Sequence, residues 1–202
     1  MGNSIGNSIV YKKDLESNDW KIHSLLTDQS SPISHIYCSD DLNLWSSSSI
    51  DGYIYLYTLP KCKLIRSIKV PTKNCSYVFL SDSPLPSIIV LSDEAENTEI
   101  FVYSINGKFR RKEQKYYKII NPILIKDLNS FDYLVYVGNE NVNIISLPDL
   151  NVQRTIDQLN GIMYICPSED NKILYALNKD GNEITAIKEE TKKIRSASFF
   201  QK

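Results

Sequence analysis

Residues 34–70, SHIYCSDDLNLWSSSSIDGYIYLYTLPKCKLIRSIKV, decide how the rest of the chain is read. Short runs rich in β-branched and aromatic side chains, such as Tyr53-Ile54-Tyr55-Leu56-Tyr57, are cut by turn residues at Asp40-Asp41, Asp51-Gly52 and Leu59-Pro60. Runs of this length, bounded this way, read as four strands joined by short connections. Three further stretches have the same layout: 76–114, 122–157 and 161–198. They contain the runs Ser87–Leu91, Tyr133–Val137 and Lys172–Ala176, with punctuation at Asn106-Gly107, Pro148-Asp149 and Asp180-Gly181.

The repeat can be registered at two points. The third strand ends at Leu59, Ile105, Leu147 and Ile187, in steps of 46, 42 and 40. An arginine recurs in the fourth strand at Arg66, Arg111, Arg154 and Arg195, in steps of 45, 43 and 41. Ahead of the first unit, Ser8–Lys13 and Trp20–Leu26 read as the last two strands of a preceding unit, with His23 at the place of the arginine. Four strands per 40–45 residues is the period of a WD40-type propeller blade. A single four-stranded sheet has two apolar faces, and face-to-face stacking buries them. The charged fourth strands (LIRSIK, FRRKEQ, VQRTID, KIRSAS) suit outer edges guarded by Arg and Lys. The expected fold is therefore all-β: a partial WD40-type β-propeller of about four and a half four-stranded blades. Its expected parts are a disordered stretch at 1–7, two strands within 8–26, and blades at about 33–70, 76–115, 122–157 and 161–200.

Composition agrees. The 202 residues carry 26 Ile and 13 Tyr but only 4 Ala, a bias against helix along the whole chain. A net charge of −1 excludes a strongly basic nucleic-acid-binding field. No apolar run approaches the ~20 residues of a membrane-spanning helix, and no secretory signal opens the chain. Cys38, Cys62, Cys75 and Cys166 show no metal spacing and read as free thiols of a reducing, cytoplasmic compartment.

Asp51-Gly52-Tyr53-Ile54-Tyr55-Leu56-Tyr57-Thr58-Leu59 resembles the D-G-x-x-x-x-W-D end of a WD40 repeat, with Tyr57 at the Trp position and Thr58 at the Asp position. The resemblance implies that Asp51 and Gly52 form a structural turn whose Asp hydrogen-bonds within the blade. The stretches 46–71, 83–94 and 101–108 resemble the C-terminal WD40 region of BEACH-domain proteins, large cytosolic scaffolds of vesicle traffic and lysosome-related organelles. The likeness covers roughly Ile33 to the end. Three features depart from the family: no Gly-His pair precedes a first strand, no unit ends in Trp-Asp, and no BEACH domain is present.

No catalytic constellation is found, and no cofactor or metal is expected. Ser46–Ser49 lack a nucleophile elbow and read as turn chemistry ahead of Asp51-Gly52. The carboxylate pairs Asp40-Asp41 and Glu189-Glu190 read as solvated turns. Phe109-Arg110-Arg111-Lys112 resembles the F-R-R-G phosphoinositide motif of a different propeller family, with Lys112 in place of Gly. Arg110 and Arg111 are thus candidate lipid-binding residues, beside the alternative that they guard an edge. Lys73, in the connection 71–74, and Tyr116, Tyr117 and Lys118 lie on fourth-to-first-strand connections and are candidate partner-binding residues. Met1–Gly6 is close to a myristoylation signal but has Gly6 where Ser or Thr is wanted. Asn74-Cys75-Ser76 matches the glycosylation triplet, which needs a secretory route to matter. The expected function is a non-catalytic protein-interaction scaffold with protein partners and no nucleic acid. Peripheral membrane association and self-association through open propeller edges are also expected.

Overall fold

A computed structural model of the chain describes residues 6–14, 16–127, 129–157, 161–181, 183–188 and 195–197. The pair Glu189-Glu190 and most of the N-terminal acylation motif lie outside them. Among the described residues there is no helix. β1 (Ser8–Lys13) and β2 (Trp20–Leu26) form a two-stranded sheet. Sheet 1 is β3 (Ile33–Ser39), β4 (Leu44–Ser49), β5 (Tyr53–Thr58) and β6 (Leu64–Lys69). Sheet 2 is β7 (Cys75–Ser81), β8 (Ser87–Glu94), β9 (Asn97–Ser104) and β10 (Phe109–Lys115). Sheet 3 is β11 (Ile120–Lys126), β12 (Asp132–Gly138), β13 (Asn141–Ser146) and β14 (Val152–Ile156). Sheet 4 is β15 (Ile162–Pro167), β16 (Ile173–Asn178), β17 (Ile184–Lys188) and β18 (Arg195–Ala197). Each four-stranded sheet is a meander in chain order, with its charged fourth strand at an edge.

The chain divides into two compact units. The first spans Met1–Asp82, Pro86–Glu94 and Glu99–Lys112; the second takes the remainder. Within the first, sheets 1 and 2 stack face to face through Ile54, Leu56, Val78, Leu80, Val90 and Phe101. Within the second, sheets 3 and 4 stack through Val135, Val142, Ile165, Leu174, Ala176 and Ile187. Alternation explains the stacking: Ile88, Ile89, Val90 and Leu91 are consecutive and all fully buried, so both faces of that strand are covered.

The register corrects the sequence reading at two points. Arg66 lies opposite Leu56, Arg154 opposite Ile144 and Arg195 opposite Ala186. Ile187 thus stands where Tyr57 and Ile145 stand, two residues short of Leu59 and Leu147. A slip of two keeps the same strand face, so hydrophobic pattern alone cannot detect it. A β-bulge recurs between third and fourth strands at Val10/Tyr11, Leu56/Tyr57 and Ile144/Ile145. It places Ser24 opposite Val10, so His23 is the bulged residue and stands one place before the arginine position.

The turns between third and fourth strands repeat as well. Residues 58–63 (TLPKCK) and 146–151 (SLPDLN) close with the Thr58 amide donating to Lys63 O at 3.0 Å and the Ser146 amide donating to Asn151 O at 2.9 Å. Cys62 (φ 52°) and Leu150 (φ 58°) occupy the left-handed region at matching places, and both are buried.

Neighbouring sheets are also fastened by side chains. Arg66 Nη1 donates to Asn106 O in the next sheet's third-to-fourth turn, and His23 Nε2 lies 3.0 Å from Pro60 O in the corresponding turn of sheet 1. On the first strands, His35 Nδ1 sits 3.0 Å from Val78 O and 3.3 Å from Val78 N. Asn121 Nδ2 donates to Ile165 O at 2.8 Å in the second unit. The His35 and Asn121 bonds occupy backbone groups of the next sheet's first strand, which stands at that sheet's edge.

Burial pushes the His35 pKa below its ordinary value, against an opposing pull from the Val78 carbonyl. The neutral ring therefore stabilises the fold fully above pH ~6.5, and that contribution is lost as pH falls from there through the lowered folded-state pKa. The urea midpoint is expected to fall between pH 7.5 and 5, and His35→Gln is expected to flatten the decline. Equal slopes for the two proteins would contradict this.

Candidate functional site

The tight turn Asp51-Gly52 is the best-defined motif in the chain. Ser31 Oγ donates to Asp51 Oδ2 at 2.8 Å, and Ser49 Oγ donates to Asp51 Oδ1 at 2.5 Å. Lys69 Nζ donates to the Asp51 carbonyl oxygen, and the Val70 amide donates to Gly52 O at 2.9 Å. Burial would raise the Asp51 pKa, but the Ser49 and Ser31 hydroxyls, the Tyr53 amide and the Lys69 charge outweigh it and hold the carboxyl low. The turn is thus a structural anchor tying β4, β5 and β6 together.

Ser46–Ser49 form a fully buried strand. Gln29 Nε2 donates to Ser47 Oγ at 2.5 Å, Ser48 and Ser34 hydroxyls lie 2.9 Å apart, and Ser49 Oγ is 3.0 Å from Tyr53 O. Three of the four hydroxyls are thereby engaged in structure. Tyr57, at the Trp position, is fully buried and stacks on Trp45 with centroids 4.1 Å apart and an 11° interplanar angle. Thr58, at the Asp position, accepts the Lys63 amide at 3.2 Å.

Arg110 and Arg111 are adjacent in β10, so their side chains leave opposite faces of the sheet. Arg110 Nη1 donates to Ser87 Oγ at 2.9 Å. Lys112, at the motif's glycine position, pairs with Glu99 at 2.5 Å and lies 5.3 Å from the Phe101 ring centroid. Alternation does not bring the two guanidinium groups together on one phosphate.

The partner-binding candidates divide in a way the sequence does not show. Lys73 and Lys118 are exposed, and Tyr116 is 82% exposed. Tyr117 turns inward. Its hydroxyl lies 3.3 Å from that of Tyr136, and its ring lies so close to Gly138 that an added Cβ would stand 2.4 Å away. The cysteines carry free thiols: Cys62 and Cys75 are buried, Cys38 and Cys166 exposed. Among the described residues no group of His, Cys, Asp and Glu side chains could hold a metal ion, and no helix is long and apolar enough to cross a membrane.

Sequence reading does not single out two exposed apolar faces. Trp20, Ile22 and Leu25 on β2 are 66%, 65% and 59% exposed. On sheet 4, Tyr164, Tyr175 and Ile184 share the face opposite its buried side. The one legible signal is position, since both belong to units at the ends of the repeat series.

No protein-family model and no curated protein sequence matches the chain. Among solved structures it is similar to the Cps50 (Swd1) β-propeller domain of Myceliophteria thermophila, at 13% identity and a TM-score of 0.65. The likeness covers 98% of this chain, which spans 65% of the length of that one. With the meander sheets and their stacking, this establishes an all-β fold: a partial WD40-type β-propeller.

Proposed function

We propose that the chain is a non-catalytic protein-interaction scaffold whose partners dock on the fourth-to-first-strand connections. The observation that carries this reading is Tyr116, an 82%-exposed aromatic with exposed Lys118 two residues on, in the connection between β10 and β11. Lys73 occupies the matching connection between sheets 1 and 2. The likeness to the WD40 region of BEACH-domain proteins supports a place in membrane traffic, in the cytoplasm and at the periphery of membranes. Cross-linking in cells with wild type and a Tyr116→Ser/Lys118→Glu variant tests the surface. Proteins retained by wild type and lost by the variant, at unchanged thermal stability, are expected. Identical partner sets would contradict the reading.

The alternative, a phosphoinositide-binding propeller acting through Arg110 and Arg111, rests on the F-R-R-K resemblance alone. Liposomes with and without phosphoinositide separate the two readings: binding that is lost in Arg110→Ala/Arg111→Ala favours the lipid, and no binding by wild type removes it.

A further inference from the structure

A cavity of about 250 Å³ opens between sheets 3 and 4, inside the second unit. Its place follows from the register. Ile144 pairs with Val135 on one side and Arg154 on the other, so all three side chains stand on the face turned to sheet 4. Leu174 pairs with Ile187 on the facing side of sheet 4. Ile125, Ile144, Leu174 and Ile187 make the aliphatic floor of the cavity. The β-bulge at Ile144/Ile145 leaves Gln153 without an opposite residue, and Gln153 lines the cavity together with the adjacent Arg154.

The rim is charged in one sense. Lys126, Arg154 and Lys172 line it against one carboxylate, that of Asp127. This carboxylate is committed to its own loop: Oδ1 accepts the Asn129 and Phe131 amides at 2.8 and 2.9 Å, and Oδ2 accepts the Tyr133 hydroxyl at 3.3 Å. Lys172 Nζ lies 3.4 Å from Asp170 Oδ2 in an exposed pair, which costs little to exchange for another anion. Arg154 differs from its counterpart in sheet 1. Arg66, at the same register position, donates to Asn106 O in sheet 2. Arg154 is exposed and makes no bond among the described residues.

We propose that this cavity binds an acidic peptide segment of a partner protein, with one aliphatic side chain entering between the sheets and flanking carboxylates meeting the cationic rim. Three features of the lining select that chemistry. The volume is below the ~300–1,000 Å³ of sites for drug-sized molecules and suits a single branched side chain. The Arg154 guanidinium is shaped to take a carboxylate in a bidentate grip, and the excess of cations rejects a basic segment. The carboxamides of Gln153 and Asn171, on the same rim, match the donors and acceptors of a peptide backbone. This goes beyond the Tyr116 surface, because β11 runs from that connection to Lys126 and the cavity lies at its opposite end.

The test uses the full chain and fluorescence polarisation of a labelled synthetic peptide with one leucine between pairs of aspartates. Saturable binding is expected. Arg154→Ala is expected to weaken it about tenfold, and Arg154→Lys to recover part of that loss. Exchanging the peptide's leucine for serine is expected to weaken it about tenfold as well. Lys108→Ala, which removes an exposed cation from the turn between β9 and β10, is expected to change nothing. No saturable binding by wild type, or equal binding by Arg154→Ala, overturns the proposal. Equal binding of the serine peptide also overturns it, because surface charge alone then accounts for the attraction. A dimer of the chain that Arg154→Ala dissociates overturns it in favour of a second copy as occupant. Failure here leaves the Tyr116 surface standing, because the cross-linking comparison does not involve the cavity residues.

Discussion

Gly52→Ala is expected to destabilise the first unit by about 3 kcal/mol, a shift readily read in urea unfolding. Gly52 has φ +86°, a region in which a side chain costs about 1–2 kcal/mol. An added Cβ would also stand 2.1 Å from the carbonyl oxygen of Thr72, a backbone atom that cannot rotate away. Relieving that overlap displaces the connection 70–74 and adds a further ~1–3 kcal/mol. Gly181 provides the control. It too has positive φ, at +68°, but nothing lies within 4 Å of its added Cβ. Gly181→Ala is therefore expected to show the backbone cost alone, about 1–2 kcal/mol. Equal effects at the two positions would mean that the turn does not rest on Thr72.

Phe101→Ala is expected to cost about 3–5 kcal/mol. The ring is fully buried in the cluster between sheets 1 and 2, among Ile54, Leu56, Val78 and Val90. Truncation removes a large apolar area and leaves a cavity that two rigid sheets cannot collapse to fill. The comparison is Val152→Ala on β14, where the side chain is 56% exposed and the change is expected within about 0.5 kcal/mol. A Phe101→Ala protein that unfolds within 1 kcal/mol of wild type would mean that the sheets are not stacked on this face.

The sequence makes the repeat legible because strand ends in this chain are marked by residues with no other use: Asp51-Gly52, Asn106-Gly107 and the two Leu-Pro turns at 59–60 and 147–148. The recurring arginines are equally readable, since Arg66 and Arg154 fall opposite Leu56 and Ile144. Register to the residue is not readable. His23 is displaced by a bulge, and Ile187 sits one same-face step early. The two-residue step at Ile187 leaves the alternation of apolar and polar residues unchanged, whereas the bulge at His23 inserts one residue into the backbone, and no residue type in β2 marks where.

Site residues are less legible, for a related reason. Tyr116 and Tyr117 are the same residue type in the same connection, and a glycine 21 residues further on decides between them. Gly138 has no side chain to keep the Tyr117 ring off, so Tyr117 folds inward and Tyr116 faces solvent. Arg110 and Arg111 look like a pair in the sequence, but the strand turns them to opposite sides.

The claim on which all of this rests is that sheets built from sequence-adjacent strands stack by their faces, bringing residues about 40 positions apart into contact. Tyr37 on β3 and Phe79 on β7 test it most directly, with ring centroids 5.3 Å apart and an interplanar angle of 68°. A NOESY spectrum with selectively labelled Tyr and Phe rings is expected to show a strong cross-peak between these two. Its absence in the folded protein, with each ring instead seeing only neighbours from its own hairpin, would contradict the stacked-sheet fold.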